Sequence, residues 1–264
     1  MERMTFSEIL SRASSMSPVS DAEFERTLNN RKRVDPREGI ECEKCGNHEY
    51  FWVVRDGERF VRDCECKKIR NSLLRLRVSG LFDQVKRCTF QTFHAPYEWQ
   101  KKALEKVLQY VSDKDRKWMI LSGQPGCGKT HLCIAAVGKF IFDGEDARYM
   151  CWVDDSIALK AFVSDDAEYQ KRMNPLKTCK VLYIDDFWKT QRGQQPTAAD
   201  VKLAFDLLNY RYCNRGLITI ISTERTSEEM MDIDQGVGSR IYEMTKGYRL
   251  EFTGSEKNWR IENG

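Results

Sequence analysis

The stretch Gly123 to Thr130, GQPGCGKT, constrains the fold of this chain more than any other. It matches G-x-x-x-x-G-K-[ST] in full, follows the apolar run WMILS and opens the run HLCIAAVGKF. That strand–loop–helix context is the one in which such a loop holds phosphates. Gly123, Gly126 and Gly128 permit a tight backbone wrap that turns successive N–H groups toward one point. The helix start adds partial positive charge there. Lys129 is placed to reach the outer phosphates of ATP, and the Thr130 hydroxyl to bind Mg²⁺. Gln124, Pro125, Cys127 and His131 complete the expected lining.

A second half-site is expected where an apolar strand ends in acid. VLYIDDFW, residues 181–188, supplies it. Asp185 is placed to hold Mg²⁺, and Asp186 to orient or activate the attacking water. From about Phe93 the pattern alternates. Helices are expected at 99–111, 129–142, 198–213 and 236–245, and strands at 118–122, 148–153, 181–184, 217–222 and 248–252. Strands separated by helices imply an α/β fold with parallel pairing and right-handed crossovers.

With these motifs quoted, a resemblance becomes specific. SGQPGCGKTHL, VLYIDDF, LAFDLLNYRYCNRGL leading into TIISTE, and GSRI together resemble the AAA+ ATPase domain of DnaC-type helicase loaders. That group, of host or phage origin, includes DnaI and the transposition helper IstB. The resemblance covers about two thirds of the chain and implies a P-loop domain without a full C-terminal lid, since few residues follow Arg240. It implies that Ser222 and Thr223 stand at the sensor-1 position, with Thr223 as the acting group. It places an arginine finger at Arg240, completing a neighbouring subunit's site, so self-association is expected. Arg260 in NWRIE falls where a sensor-2 arginine would stand. A hexameric replicative helicase and single-stranded DNA are the implied partners, and slow, DNA-stimulated ATP hydrolysis the implied activity. Two positions depart from the pattern: Asp186 where AAA+ proteins more usually carry Glu, and Glu224 where the loaders commonly carry Asn. Rival readings are a transposase helper acting on duplex DNA and a nucleotide-gated adaptor with little hydrolysis.

Upstream, Cys42, Cys45, Cys64 and Cys66 lie within 25 residues of one another, whereas the other six cysteines are scattered. Two short knuckles carrying four thiolates suit tetrahedral Zn²⁺. An iron–sulfur cluster or unligated thiols are the alternatives, and His48 lies near enough in sequence to replace one ligand. Between the pairs, EYFWVVRDGERFVRD reads as a hairpin turning at Asp56-Gly57. Its aromatic residues Tyr50, Phe51, Trp52 and Phe60 suit stacking on single-stranded bases, a minimal core, or a protein-docking face. DnaI-like loaders also carry an N-terminal zinc module, which the resemblance extends to these cysteines.

Net charge is only +3, but residues 51–92 carry 10 Lys/Arg against 5 Asp/Glu. The cations Lys67, Lys68, Arg70, Arg75 and Arg77 fall on an expected helix from 67 to 78 and suit either phosphate-backbone contact or a solvated face. No run of 18 apolar residues occurs and the N-terminus lacks a secretory pattern, so the expectation is a cytoplasmic protein with no membrane partner. The expected organisation is a flexible or partner-binding segment at 1–40 with a short helix from Phe6 to Ala13, a zinc module at 41–68, a basic linker helix at 69–92, and the AAA+ domain at 93–264.

Overall fold

The computed structural model describes residues 19–78, 81–191 and 193–254, in two compact units that divide between Arg70 and Asn71. The first is built on an antiparallel hairpin, β1 (Tyr50–Arg55) and β2 (Glu58–Asp63). Both turn residues take left-handed backbone, Asp56 at φ 52° and Gly57 at φ 76°, as a two-residue hairpin turn requires.

The segment before the cysteines is not a linker throughout. Ser20 caps a helix, α1 (Asp21–Asn29), which packs on β1. The Asn29 amide donates to the Trp52 carbonyl (2.8 Å) and accepts from the Trp52 N–H (2.9 Å). Glu25 accepts from Val54 N–H, and Arg31 donates to the Tyr50 carbonyl. Side chains thus occupy backbone groups along the outer edge of β1, which would otherwise offer a template for another strand. The helix expected at Phe6 to Ala13 lies outside the described residues.

The basic stripe also resolves differently. Arg70, on α2 (Glu65–Val78), is fully buried. It donates to the carbonyls of Ile40 and Asn47 and to Asn47 Oδ1, and pairs with Glu49 at 3.3 Å. Arg75 pairs with Asp146, and the Arg77 guanidinium lies 4.4 Å from the Phe82 ring centroid, at the head of α3 (Phe82–Arg87). Arg70 is thus withdrawn from the expected stripe, whereas Lys68 and Arg77 remain exposed on the helix and Lys67 and Arg75 partly so.

The second unit is a five-stranded parallel sheet. Its strands are β3 (Trp118–Gly123), β4 (Ala147–Cys151), β5 (Val181–Asp185), β6 (Ile218–Ser222) and β7 (Arg249–Phe252), ordered β4-β5-β6-β3-β7. The connecting helices are α4 (Glu98–Ser112), α5 (Lys129–Phe142), α6 (Trp152–Lys160), α7 (Asp166–Thr178), α8 (Ala198–Cys213), α9 (Ser227–Ile233) and α10 (Gln235–Met244). The strand expected to run to Val153 stops at Cys151, where the Asp155 carboxylate accepts from Cys151 N–H and turns the chain into α6. Helices α7 and α9 were not legible from apolar spacing. Asp165 caps the first, and a Thr226–Glu229 capping box starts the second.

Strand alternation sorts the sheet into two faces. Trp118, Ile120, Met150, Leu182, Ile184 and Ile221 share a core with α6, α7, α8, α9 and α10. The alternate set, including Tyr149, Tyr183, Asp185 and Ser222, faces the other way, the side taken by α5. Arg211 of α8 braces the first layer while fully buried. It donates to Thr219 Oγ1 and to the carbonyls of Leu176, Lys177, Cys179 and Ile218. Removing it strands several buried acceptors at once. Arg211→Ala should therefore cost about 3 kcal/mol or more and lower the melting temperature by roughly 6–12 °C in a thermal scan. A drop under 2 °C would show that the brace is dispensable.

Candidate nucleotide site and cysteine cluster

The phosphate loop is shaped by close approaches at its glycines. A Cβ at Gly123 (φ 103°) would lie 2.1 Å from the Phe252 carbonyl oxygen, so the loop leaves β3 directly against β7. A Cβ at Gly128 (φ 91°) would lie 2.7 Å from the Phe93 ring, which packs edge-on against His131. Gly128 heads α5 with no side-chain cap and no acid in the first turn. The first N–H groups of that helix are therefore available to anionic oxygens. Lys129 folds over the loop, its Nζ donating to the carbonyls of Gly123 (2.7 Å) and Gln124 (2.6 Å). Cys127 is buried, with its thiol toward the Gln124 carbonyl. His131 binds the Thr89 carbonyl at 2.9 Å, tying α5 to the segment that precedes α4.

Across from the loop, Asp185 ends β5 with its carboxylate among donors. Tyr183 Oη lies 2.7 Å from Oδ1, Asp186 N–H 3.1 Å and Thr130 Oγ1 3.4 Å, while Tyr149 Oη lies 3.3 Å from Oδ2. Ser222 Oγ also donates to Oδ1. The tyrosine at 183 stays protonated because burial, aided by the nearby Cys133 and Asp185, pushes its phenol far above the usual range. Thr130 and Asp185 are thus brought together, as a shared Mg²⁺ would need. A hydroxyl and a carboxylate are hard oxygen donors of the kind Mg²⁺ takes, so the pair fits that ion.

Asp186 points elsewhere. Its Oδ2 pairs with Lys189 at 3.0 Å, and the same Nζ reaches Glu224 at 3.1 Å. Thr223 is turned away from the site, donating to the Phe187 carbonyl at 2.6 Å and accepting from Arg225 N–H at 3.1 Å. Of the two sensor candidates it is Ser222 that faces Asp185, because residue 222 shares the strand parity of 218 and 220. Sequence reading missed Tyr183 and Tyr149, whose alternation with Asp185 along and across the strands was the available signal, and it missed Lys189.

Arg240 sits half-buried on α10. Nε donates to Asn209 Oδ1 and Nη1 to the Gly236 carbonyl, with Phe205 and Tyr212 rings beside the guanidinium. None of these partners belongs to the nucleotide site among the described residues of its own chain. Arg260 lies outside the described residues.

In the first unit, the sulfurs of Cys42, Cys45, Cys64 and Cys66 all lie within 4.8 Å of one another. The Cys42–Cys64 and Cys45–Cys66 separations are 3.7 and 3.6 Å. Four thiolates at the zinc–sulfur bond length around a tetrahedral centre would stand about 3.8 Å apart, whereas a disulfide would be about 2 Å. Burial opposes the Cys42 thiolate, but hydrogen bonds from Cys45 and its other neighbours bring it down to about 7; burial pushes Cys64 and Cys66 up. Four thiolates cannot crowd together unless a cation compensates them, so the donor set suits a thiophilic metal. His48 is not among the ligands: its Nε2 binds the Lys32 carbonyl at 2.9 Å.

A phosphate loop on β3, a metal-type carboxylate ending β5 and a parallel sheet in this strand order define a P-loop ATP-binding protein of the AAA+ kind. Comparison with known sequences names the family: the profile of the IstB-like ATP binding protein matches residues 49–235, and the chain belongs to that DnaC/IstB-like family. It is 32% identical over 236 residues to the phage-like element PBSX protein XkdC of Bacillus subtilis, covering 84% of this chain and 86% of that one. The replicative helicase loader DnaC of Escherichia coli is 25% identical over 193 residues, 67% of this chain and 76% of DnaC. A crystal structure of the DnaC helicase loader has the same fold, with a TM-score of 0.55 at 23% identity over 64% of this chain and 99% of that one. Among the described residues no helix is long and apolar enough to cross a membrane.

The geometry separates the two sensor candidates. Ser222→Ala should weaken Mg²⁺-dependent ATP binding about tenfold, as loss of a hydrogen bond to a charged group does. Thr223→Val should lower the melting temperature and leave affinity within about twofold, both read by calorimetry. Equal affinity losses would return Thr223 to the site.

Proposed function

We propose that this DnaC/IstB-type ATPase loads a hexameric replicative helicase onto single-stranded DNA, with nucleotide acting as the switch. The observation that carries this reading is the sequence similarity to the DnaC loader, which extends over 67% of this chain and 76% of that one. In this reading Lys129 and the α5 N-terminus hold the β- and γ-phosphates, and Thr130 with Asp185 hold Mg²⁺. The ion would draw charge off the transferred phosphoryl group. Ser222, through Asp185, fixes the carboxylate's rotamer, and Asp186 orients the attacking water. Arg240 completes the site of a neighbouring copy, its guanidinium pre-set by Asn209 and Gly236, and is the route of self-association. Hydrolysis is slow and stimulated by single-stranded DNA. The protein works in the cytoplasm, where its thiols stay reduced.

The four cysteines hold Zn²⁺, and the unit around them docks the helicase. That fragment has few buried apolar residues of its own, so the metal supplies much of its folding energy. About one equivalent of zinc should copurify with the wild type and be lost in Cys64→Ser; a strong chelator should unfold this unit while the sheet unit keeps its melting transition. Iron in place of zinc, or full stability without metal, would contradict this assignment.

The loader reading is tested with the partner organism's replicative helicase, circular single-stranded DNA, ATP and Mg²⁺. Wild type should transfer the helicase to DNA, Lys129→Ala should lose ATP binding and transfer, and Cys42→Ser should lose helicase binding while still binding ATP. The family profile favours one rival, a transposase helper. No helicase binding by folded protein, with preference for duplex DNA, would decide for it.

A further inference from the structure

The loop after β5 is unusual in its backbone and in how firmly it is tied. Asp186 and Trp188 both sit in the left-handed region, at φ 53° and 55°. A non-glycine residue there is uncommon, and a bulky one is held only by its surroundings. Those surroundings are visible. Phe187 N–H donates to the Ser222 carbonyl at 2.9 Å, and Thr223 Oγ1 to the Phe187 carbonyl. Arg225 donates to Thr190 Oγ1 at 2.7 Å and to the Gln194 carbonyl at 2.9 Å. The loop after β5 is therefore laced to the loop after β6, and Lys189 stands between them. Burial works against its charge, but bonds to Asp186 and Glu224 hold the ammonium pKa above its ordinary value.

We propose that Lys189 is a positioning residue that parks Asp186 away from the nucleotide, with Glu224 as its anchor on the opposite loop. It rests on the reading of Asp186 as the residue that handles the attacking water. In that step the water oxygen bonds to the γ-phosphorus. The bond to the β,γ-bridging oxygen breaks, its electron pair leaving with ADP, and a water proton passes to a carboxylate. A carboxylate ion-paired to Lys189 is held on that ammonium, turned away from the nucleotide. Releasing it needs one ion pair opened, and Glu224 keeps Lys189 from being left unpaired when that happens. Anything that moves the loop after β6 relative to the loop after β5 would then act on hydrolysis. Glu224 in this role gives a physical use to the residue that departs from the loaders' Asn.

The clamp predicts changes of opposite sign. At saturating ATP and Mg²⁺ without DNA, Lys189→Ala should raise kcat about three- to tenfold with KM unchanged, the range set by one half-exposed ion pair. Lys189→Arg should restore the wild-type rate. Glu224→Gln leaves Asp186 as the clamp's only carboxylate partner and should lower basal kcat two- to threefold. Asp186→Asn should abolish turnover, and adding Lys189→Ala to it should change nothing. Thermal scans of each variant check that it is folded. Lys189→Ala with unchanged or reduced kcat, while Asp186→Asn is inactive, would overturn the clamp and leave the site reading standing. Full activity in Asp186→Asn would instead overturn the site reading on which the clamp rests.

Discussion

A carboxylate at the end of a buried strand must be compensated by donors or by a cation, and the second unit is arranged around that need at Asp185. Its residue is almost wholly buried, and the groups that compensate it come from every direction available. Tyr183 reaches it from two residues back on the same strand, Tyr149 from β4, Ser222 from β6, and Thr130 from α5. This convergence requires parallel strands in register, Cys151 opposite Asp185 and Leu121 opposite Ser222, so that side chains of one parity meet at one end of the sheet. The same parity rule that fills one face with aliphatic side chains leaves the other a small polar cluster beneath the phosphate loop.

Much of this was legible because it is local. The phosphate loop, the helices 129–142 and 198–213, and the Asp56-Gly57 hairpin depend on residues within a few positions of one another. What was not legible depends on partners far along the chain. Arg70 reads as one more surface cation until Ile40, Asn47 and Glu49 surround it. Asn29, in a polar stretch without an apolar stripe, ends a helix that is tied to β1 through the Trp52 backbone. Ser222 and Thr223 are neighbours of similar chemistry, and only strand parity decides which one faces the metal-type carboxylate.

The cysteine unit shows the same division. Two knuckles and a hairpin between them were visible as spacing, and the sulfur separations match a tetrahedral donor set. The exclusion of His48 was not visible: its ring is taken by the Lys32 carbonyl, on a segment that sequence pattern alone leaves unstructured. That segment also covers the open edge of β1, so a unit with little apolar core settles its exposed backbone through side chains of Glu25, Asn29 and Arg31 rather than through further strands.

The residue after Asp185 departs from the more usual Glu, and the backbone supplies a reason. At φ 53° this position lies in the left-handed region, which Asp and Asn enter several-fold more readily than longer side chains because a short polar group can bond locally. Asp186 does so through Lys189, three residues on. A glutamate would lose that local compensation and carry its carboxylate past the ammonium. The shorter acid is therefore matched to a strained turn. The strain is borne by ties from Thr223 and Arg225 on the loop after β6, which makes the geometry of one loop a condition for the chemistry of the other.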